Sequence, residues 1–178
     1  QLVNLDSGSG DTSDPQIAMN SKGEAVAVWS EKLAGVQRTW AGSFANGEWF
    51  AFTELSESEA NAIGPQIALG DDGQAVAVWM QNETGQTPSV FASRRDAAGK
   101  WATAEPIETD IPSAFNPQVT MDALGNATVV WEQVNSAFLR DIWANRLSGG
   151  IWLGAKKLEA DDTGAAGTPQ VSSDSAGN

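Results

Sequence analysis

The side chains able to do chemistry in this chain are mostly carboxylates, guanidinium groups and indoles. Its 178 residues hold 23 Asp and Glu against ten Lys and Arg, with eight Trp and no His, Cys or Tyr. Without Cys or His there is no disulfide framework, thiol nucleophile, Cys/His zinc site or Ser-His-Asp triad, and without Tyr there is no phenol nucleophile. What remains for catalysis is glycoside hydrolysis by paired carboxylates, which needs the two groups ~5 Å or ~6.5–9.5 Å apart. Among 23 acids some pair meets such a spacing by chance, so the acids alone nominate no catalytic residue. A formal charge of −13 argues against nucleic acid or an anionic membrane surface as partner, since both need a basic footprint. No window approaches 18 consecutive apolar residues, so no membrane insertion is expected.

Two sets of residues could instead bind a ligand. Aromatic rings pack against the C–H faces of sugars, and Trp40, Phe91 and Trp143 recur at one position, with Arg94 and Arg146 three residues after the latter two. These five are the ligand-binding candidates, although packing remains the stronger reading of the aromatics and the arginines could pair with acids of a neighbouring strand. The second set is acidic: Asp6, Asp11, Asp14, Glu57, Glu59, Glu108, Asp110, Glu159, Asp161 and Asp162. Carboxylate oxygens are ligands of the kind Ca²⁺ takes, but no D-x-D-x-D-G loop is present. Solubility explains such acids equally well, so no cofactor is expected unless it is Ca²⁺.

The elements that must position these residues are repeats. DPQIAMNSKGEAVAVWSE (14–31) returns as GPQIALGDDGQAVAVWMQ (64–81) and NPQVTMDALGNATVVWEQ (116–133), and begins again as TPQVSSDSAGN (168–178). Pro15, Pro65, Pro117 and Pro169 are spaced 50, 52 and 52 apart. Within each unit the apolar period is two, which predicts four strands and no helix. The first opens at the proline, and a turn ending in Gly23, Gly73, Gly125 or Gly177 leads to the second, the nearly all-apolar AVAVW or ATVVW. The third carries Trp40, Phe91 or Trp143. A second Gly turn leads to the fourth, which runs from Trp49, Trp101 or Trp152 to Leu55, Ile107 or Leu158. The regular recurrence of Trp29, Trp79, Trp131, Trp49, Trp101 and Trp152 assigns them to the core.

Four antiparallel strands per unit describe a β-propeller blade, favoured over a β-solenoid, whose shorter rungs need no pair of glycine hairpins. The expected layout is the end of a preceding blade and a linker over 1–14, blades over 15–64, 65–116 and 117–168, and a first strand of a fourth blade over 169–178. The Gly turns then share one rim, and the variable segments 30–36, 80–89 and 132–139 share the other with most of the acids.

At PQ[IV]x[ML]xxxGxAxxVW, followed by WA or FA and a Gly turn to Trp, the chain resembles bacterial exported proteins built of tandem blades of about fifty residues, often grouped with sialidase-type propellers. The resemblance covers the whole length and implies an extracellular, periplasmic or cell-surface location. The turns are also similar to the Asp-box S-x-D-x-G-x-T-W, but only Ser172, Asp174 and Gly177 approach it, with Gly177 one place late. A sialidase resemblance would further imply a Tyr nucleophile and an arginine cluster. There is no Tyr, and Arg38, Arg94, Arg95, Arg140 and Arg146 do not recur at one position. Residues 1–5 read as half of a fourth strand, so the array cannot close a ring of ~4–8 blades. It is expected to be a fragment with blades before and after it, or to self-associate through open blade edges. The leading expectation is a non-enzymatic extracellular binding or scaffold module for a glycan or protein. The alternative is a fragment of a sialidase-like or other glycoside hydrolase propeller.

Overall fold

The computed structural model describes residues 4–6, 10–56, 59–82, 86–108, 113–160, 164–174 and 177, and everything regular among them is β-strand. The first sheet is β1 (Asp11–Met19), β2 (Ala25–Leu33), β3 (Val36–Ala45) and β4 (Glu48–Glu54), in the order β1-β2-β3-β4. The second is β5 (Asn61–Leu69), β6 (Ala75–Asn82), β7 (Ser89–Arg95) and β8 (Glu105–Pro106). The third is β9 (Ala114–Met121), β10 (Ala127–Val134), β11 (Arg140–Ser148), β12 (Ile151–Trp152) and β13 (Lys156–Lys157), with β12 and β13 both pairing β11. All pairings are antiparallel meanders, so the Gly turns lie at one end of every sheet and the β2–β3, β6–β7 and β10–β11 connections at the other. The fold is a β-propeller left open, with the sheets not closed into a ring.

The sheets stack face to face. Alternation along β6 sends Ala77 and Trp79 back against Val26, Val28, Ala41 and Leu55 of the first sheet, and Val76 and Val78 forward against Val129 and Trp131 of the third. Both faces of β6 are therefore covered by sheet, which suits a second-strand sequence that is apolar without alternation. Trp29, Trp79 and Trp131 are buried. Trp49, Trp101 and Trp152 are only half-buried; Trp101 and Trp152 pack at the margins of the two clusters, because the fourth strand is the outer edge of its sheet. Truncating Trp79 or Trp131 to Ala would cost ~3–5 kcal/mol.

The first strand does not open at its proline. β1, β5 and β9 begin upstream of Pro15, Pro65 and Pro117, and each ladder slips register there. The residue before each proline, Asp14, Gly64, Asn116 or Thr168, has φ between 52° and 62°. Proline has no N–H to give the ladder, and a bulge with a left-handed residue in front of it carries the strand past the gap. The fourth strand is continuous only in the first sheet: it shortens to β8 and a Trp101 bridge in the second, and splits at Gly154 (φ 96°) in the third. The segment expected as a variable loop over 30–36 is strand joined by a two-residue turn at Ala34–Gly35, both with positive φ, as tight hairpins require.

Candidate functional site

Trp40, Phe91 and Trp143 stand directly opposite Trp29, Trp79 and Trp131 across the β2–β3, β6–β7 and β10–β11 ladders. Cross-strand partners share a face, so Trp79, Phe91, Trp131 and Trp143 point back toward the preceding sheet and Trp29 and Trp40 lie on the equivalent face of the first. Phe91 stacks on Trp79 (centroids 6.5 Å apart) at the seam between sheets one and two, and Trp143 packs at the seam between two and three. An offset of three residues puts Arg94 and Arg146 on the opposite face, beside the Gly turns. Arg94 donates from Nη1 to the Gly150 carbonyl and lies 3.5 Å from Glu105. Arg146 holds the buried Asp122 at 3.1 Å and reaches the Gly177 carbonyl at 3.3 Å. The five residues are thus distributed over separate seams and form no common cleft.

Two acids of the variable rim, Glu108 and Glu159, serve the sheets. Ser56 Oγ, Glu108 Oε2 and Glu159 Oε1 occupy one repeat position, and each accepts a third-strand amide, from Thr39 (2.9 Å), Val90 (2.7 Å) and Ile142 (2.7 Å). Burial pushes the Glu108 carboxyl above the ordinary Glu range, against the opposing pull of the Ser89 hydroxyl and the Val90 amide. Burial also pushes on Glu132, but there the Thr168 amide, Asn116 amide and Arg140 guanidinium outweigh it and hold the carboxyl low. Asp141, also buried, takes Asn135 and Lys157 at 3.1 and 3.2 Å. Glu57, Asp110, Asp161 and Asp162 lie outside the described residues. Among the described residues no three acids are grouped closely enough to hold a metal ion.

One arrangement was not foreseen from the sequence. On the back face of the first sheet, Trp29, Glu31, Trp40 and Phe52 line a cavity of about 180 Å³ with Asn4, Leu5 and Asp6. A second cavity of about 250 Å³ shares Asn4, Leu5, Asp6 and Trp29. In the other sheets the buried indole donates to a glutamine two residues on, Trp79 to Gln81 at 3.1 Å and Trp131 to Gln133 at 2.9 Å. The first sheet has a fully buried Glu31 at that place, and among the described residues Trp29 Nε1, Trp40 Nε1 and Arg38 Nε are buried with no acceptor. Gly42 leaves the space open, since a Cβ there would stand 3.0 Å from the Phe52 ring. Ring faces, N–H donors and the Glu31 carboxylate are groups that recognise hydroxyl-bearing ligands, while Arg38 on the neighbouring strand is paired with Glu54 at 2.6 Å. The sequence signal was present as breaks in the repeat: W-S-E against W-M-Q and W-E-Q, and Gly42 against Ser93 and Asn145.

No family model matches the chain, and no curated protein sequence matches it. Solved structures do. A Hadza microbial sialidase superposes with TM-score 0.62 at 9% identity, over 81% of this chain and 37% of its own. A glycosyl hydrolase from Bacteroides ovatus gives 0.55 at 14%, over 88% and 50%, and an endo-arabinase from Bacteroides thetaiotaomicron gives 0.50 at 15%, over 91% and 60%. The chain therefore spans between 37% and 60% of the lengths of these structures. At such identities the likeness is one of fold: stacked antiparallel blades of a propeller, open in this chain.

Proposed function

We propose that the chain is a non-enzymatic extracellular binding or scaffold module, with 15–64, 65–116 and 117–168 as its blade units, that takes a neutral saccharide on the first sheet. The observation that carries this is the pair of buried indole N–H groups without acceptors beside the Trp29–Trp40–Phe52 cavity. A buried polar group left unpaired costs ~1–3 kcal/mol. A sugar hydroxyl accepts from an indole and donates to a carboxylate at once, while its C–H face lies on an aromatic ring. An anion would meet the buried Glu31 in the cavity lining.

A glycan array with and without Ca²⁺, followed by calorimetry on the hits, tests the proposal. Trp40→Phe, the residue the second sheet already uses, is expected to keep the fold and weaken binding at least tenfold. Failure to retain any glycan, or undiminished affinity in this variant, overturns it. Light scattering separates the competing occupant, a second copy pairing with the open face: a dimer dissociated by Trp40→Phe would assign the cavity to self-association.

A second reading, a piece of a glycoside hydrolase, is favoured by one observation, the raised carboxyl of Glu108. It requires hydrolysis of an aryl glycoside that is lost in Glu108→Gln.

A further inference from the structure

The connection between β10 and β11, at the end of the sheets away from the Gly turns, presents a phenylalanine to solvent: Phe138 is 90% exposed at its tip. We infer that Phe138 is a second contact for a neutral oligosaccharide whose first contact is the Trp29–Trp40–Phe52 cavity, so that the ligand is a chain of sugars and not a single one. The inference rests on the saccharide reading of the first sheet.

The turn is one the chain uses elsewhere, with one residue exchanged. In the 135–139 turn the Asn135 amide donates to the Leu139 carbonyl, the Phe138 amide donates to the Asn135 carbonyl, and the Ala137 and Leu139 amides donate to Asn135 Oδ1. The 20–24 and 122–126 turns make the same four bonds, with Gly23 and Gly125 in the place of Phe138. The amides of Gly73, Gly99 and Gly177 likewise donate to the carbonyl three residues before them. These five glycines have φ between 77° and 89°, and Phe138 has φ 60°. That left-handed region is costly for a residue with a Cβ, whereas glycine occupies it freely. The fold therefore does not need an aromatic there: the ring is in water, and glycine would hold the same turn with less strain. A strained position that packing does not explain points to a role outside the fold.

What the tip can hold follows from its size and charge. Residues 133–139 carry no charge in a chain of −13, and Ser136 and Ala137 beside the ring are small and exposed. Burying one aromatic side chain removes ~150–250 Å² from water, well short of the ~800 Å² that each partner gives to a stable protein interface. A sugar unit needs no more than that, because its C–H face lies on the ring while its hydroxyls stay in water. The first-sheet cavity lies toward the same end, since Trp29 and Glu31 come late in β2, shortly before the Ala34–Gly35 turn. The second sheet stands between the two sites, and at ~10 Å per stacked sheet they are ~20 Å apart, a span that a chain of several sugar units crosses. One ring alone holds a sugar weakly, but on a ligand already held at the cavity the second contact becomes intramolecular.

Calorimetry on glucose, mannose and xylose and on their β-1,4-linked hexasaccharides tests this, with light scattering alongside. In at least one series the hexasaccharide is expected to bind at least tenfold tighter than its monosaccharide. Phe138→Gly, which installs the residue of the other turns, is expected to keep or raise the melting temperature, to leave the monosaccharide unchanged and to weaken the hexasaccharide at least fivefold. Phe138→Trp is expected to retain the hexasaccharide, and Trp40→Phe to weaken both sugars. Wild-type hexasaccharide affinity in Phe138→Gly, with Trp40→Phe still weakening both sugars, would overturn the tip contact and leave the first-sheet reading standing. Loss in Phe138→Gly but not in Trp40→Phe would overturn the first-sheet reading, and with it the shared ligand. A melting temperature lowered by Phe138→Gly would mean that the ring serves the fold, and self-association abolished by that change would assign the tip to a second copy. Either result, or no binding of any hexasaccharide, overturns the inference.

Discussion

Replacing Gln133 by Leu isolates the hydrogen bond that the repeat uses to bury its tryptophan. Gln133 is buried under the third sheet, and its Oε1 lies 2.9 Å from Nε1 of Trp131, itself fully enclosed in the cluster between sheets two and three. Leucine is close to glutamine in volume and leaves little cavity, so the dominant loss is the acceptor. An indole N–H stranded in a dry core costs ~1–3 kcal/mol. For a chain of this length each kcal/mol moves the melting temperature by ~2–4 °C. Urea titration of wild type, Gln133→Leu, Trp131→Phe and the double variant closes a thermodynamic cycle. Trp131→Phe is costly alone because the smaller ring leaves a void, but it removes the donor, so Gln133→Leu in that background is expected to cost ~1 kcal/mol or more less than in wild type. A coupling indistinguishable from zero, with Gln133→Leu still destabilising, would show that the W-x-Q contact is incidental and that glutamine packs there for another reason.

The turn at Asp122 makes a pH-dependent contribution. Burial raises its carboxyl, but the Asn126 side chain and amide, the Leu124 amide and Arg146 outweigh that and hold it below the ordinary Asp range. A depressed folded-state value stabilises the fold above the unfolded-state value and loses that stability as pH falls through the folded one. Asp122→Asn should therefore be less stable than wild type at pH 7, with the gap narrowing below ~pH 4, as measured by urea midpoints across pH. A uniform gap at all pH would remove the charge from the argument. At the bulge, Gly64 (φ 62°) sits where the other repeats carry Asp14, Asn116 and Thr168. Gly64→Asn should be nearly neutral and Gly64→Val should lose ~1–2 kcal/mol or more, because a β-branched residue resists the left-handed conformation. Equal melting temperatures for the two variants would contradict this.

The repeat period, the alternation within it, the all-apolar second strand and the glycine turns were legible from residue order, because each is local chemistry written three times over. They determine four strands per unit, the open propeller and the burial of Trp29, Trp79 and Trp131. Local pattern could not place proline inside a strand, since the bulge that admits it is a property of the paired ladder. Nor could it distinguish equivalent positions by their surroundings. Ile67 and Leu69 pack against the first sheet, whereas Ile17 and Met19, in the same motif, are 59% and 64% exposed, because among the described residues no sheet lies behind the first. Likewise Arg94 and Arg146, named as ligand-binding candidates with Phe91 and Trp143, lie on the opposite strand face from those rings, by the two-residue period of a strand. Which carboxylates cap a neighbouring amide, which indoles go without an acceptor and which cations meet across a seam depend on the stacking of one sheet on the next. That stacking joins residues about fifty positions apart, and only the tertiary structure decided it.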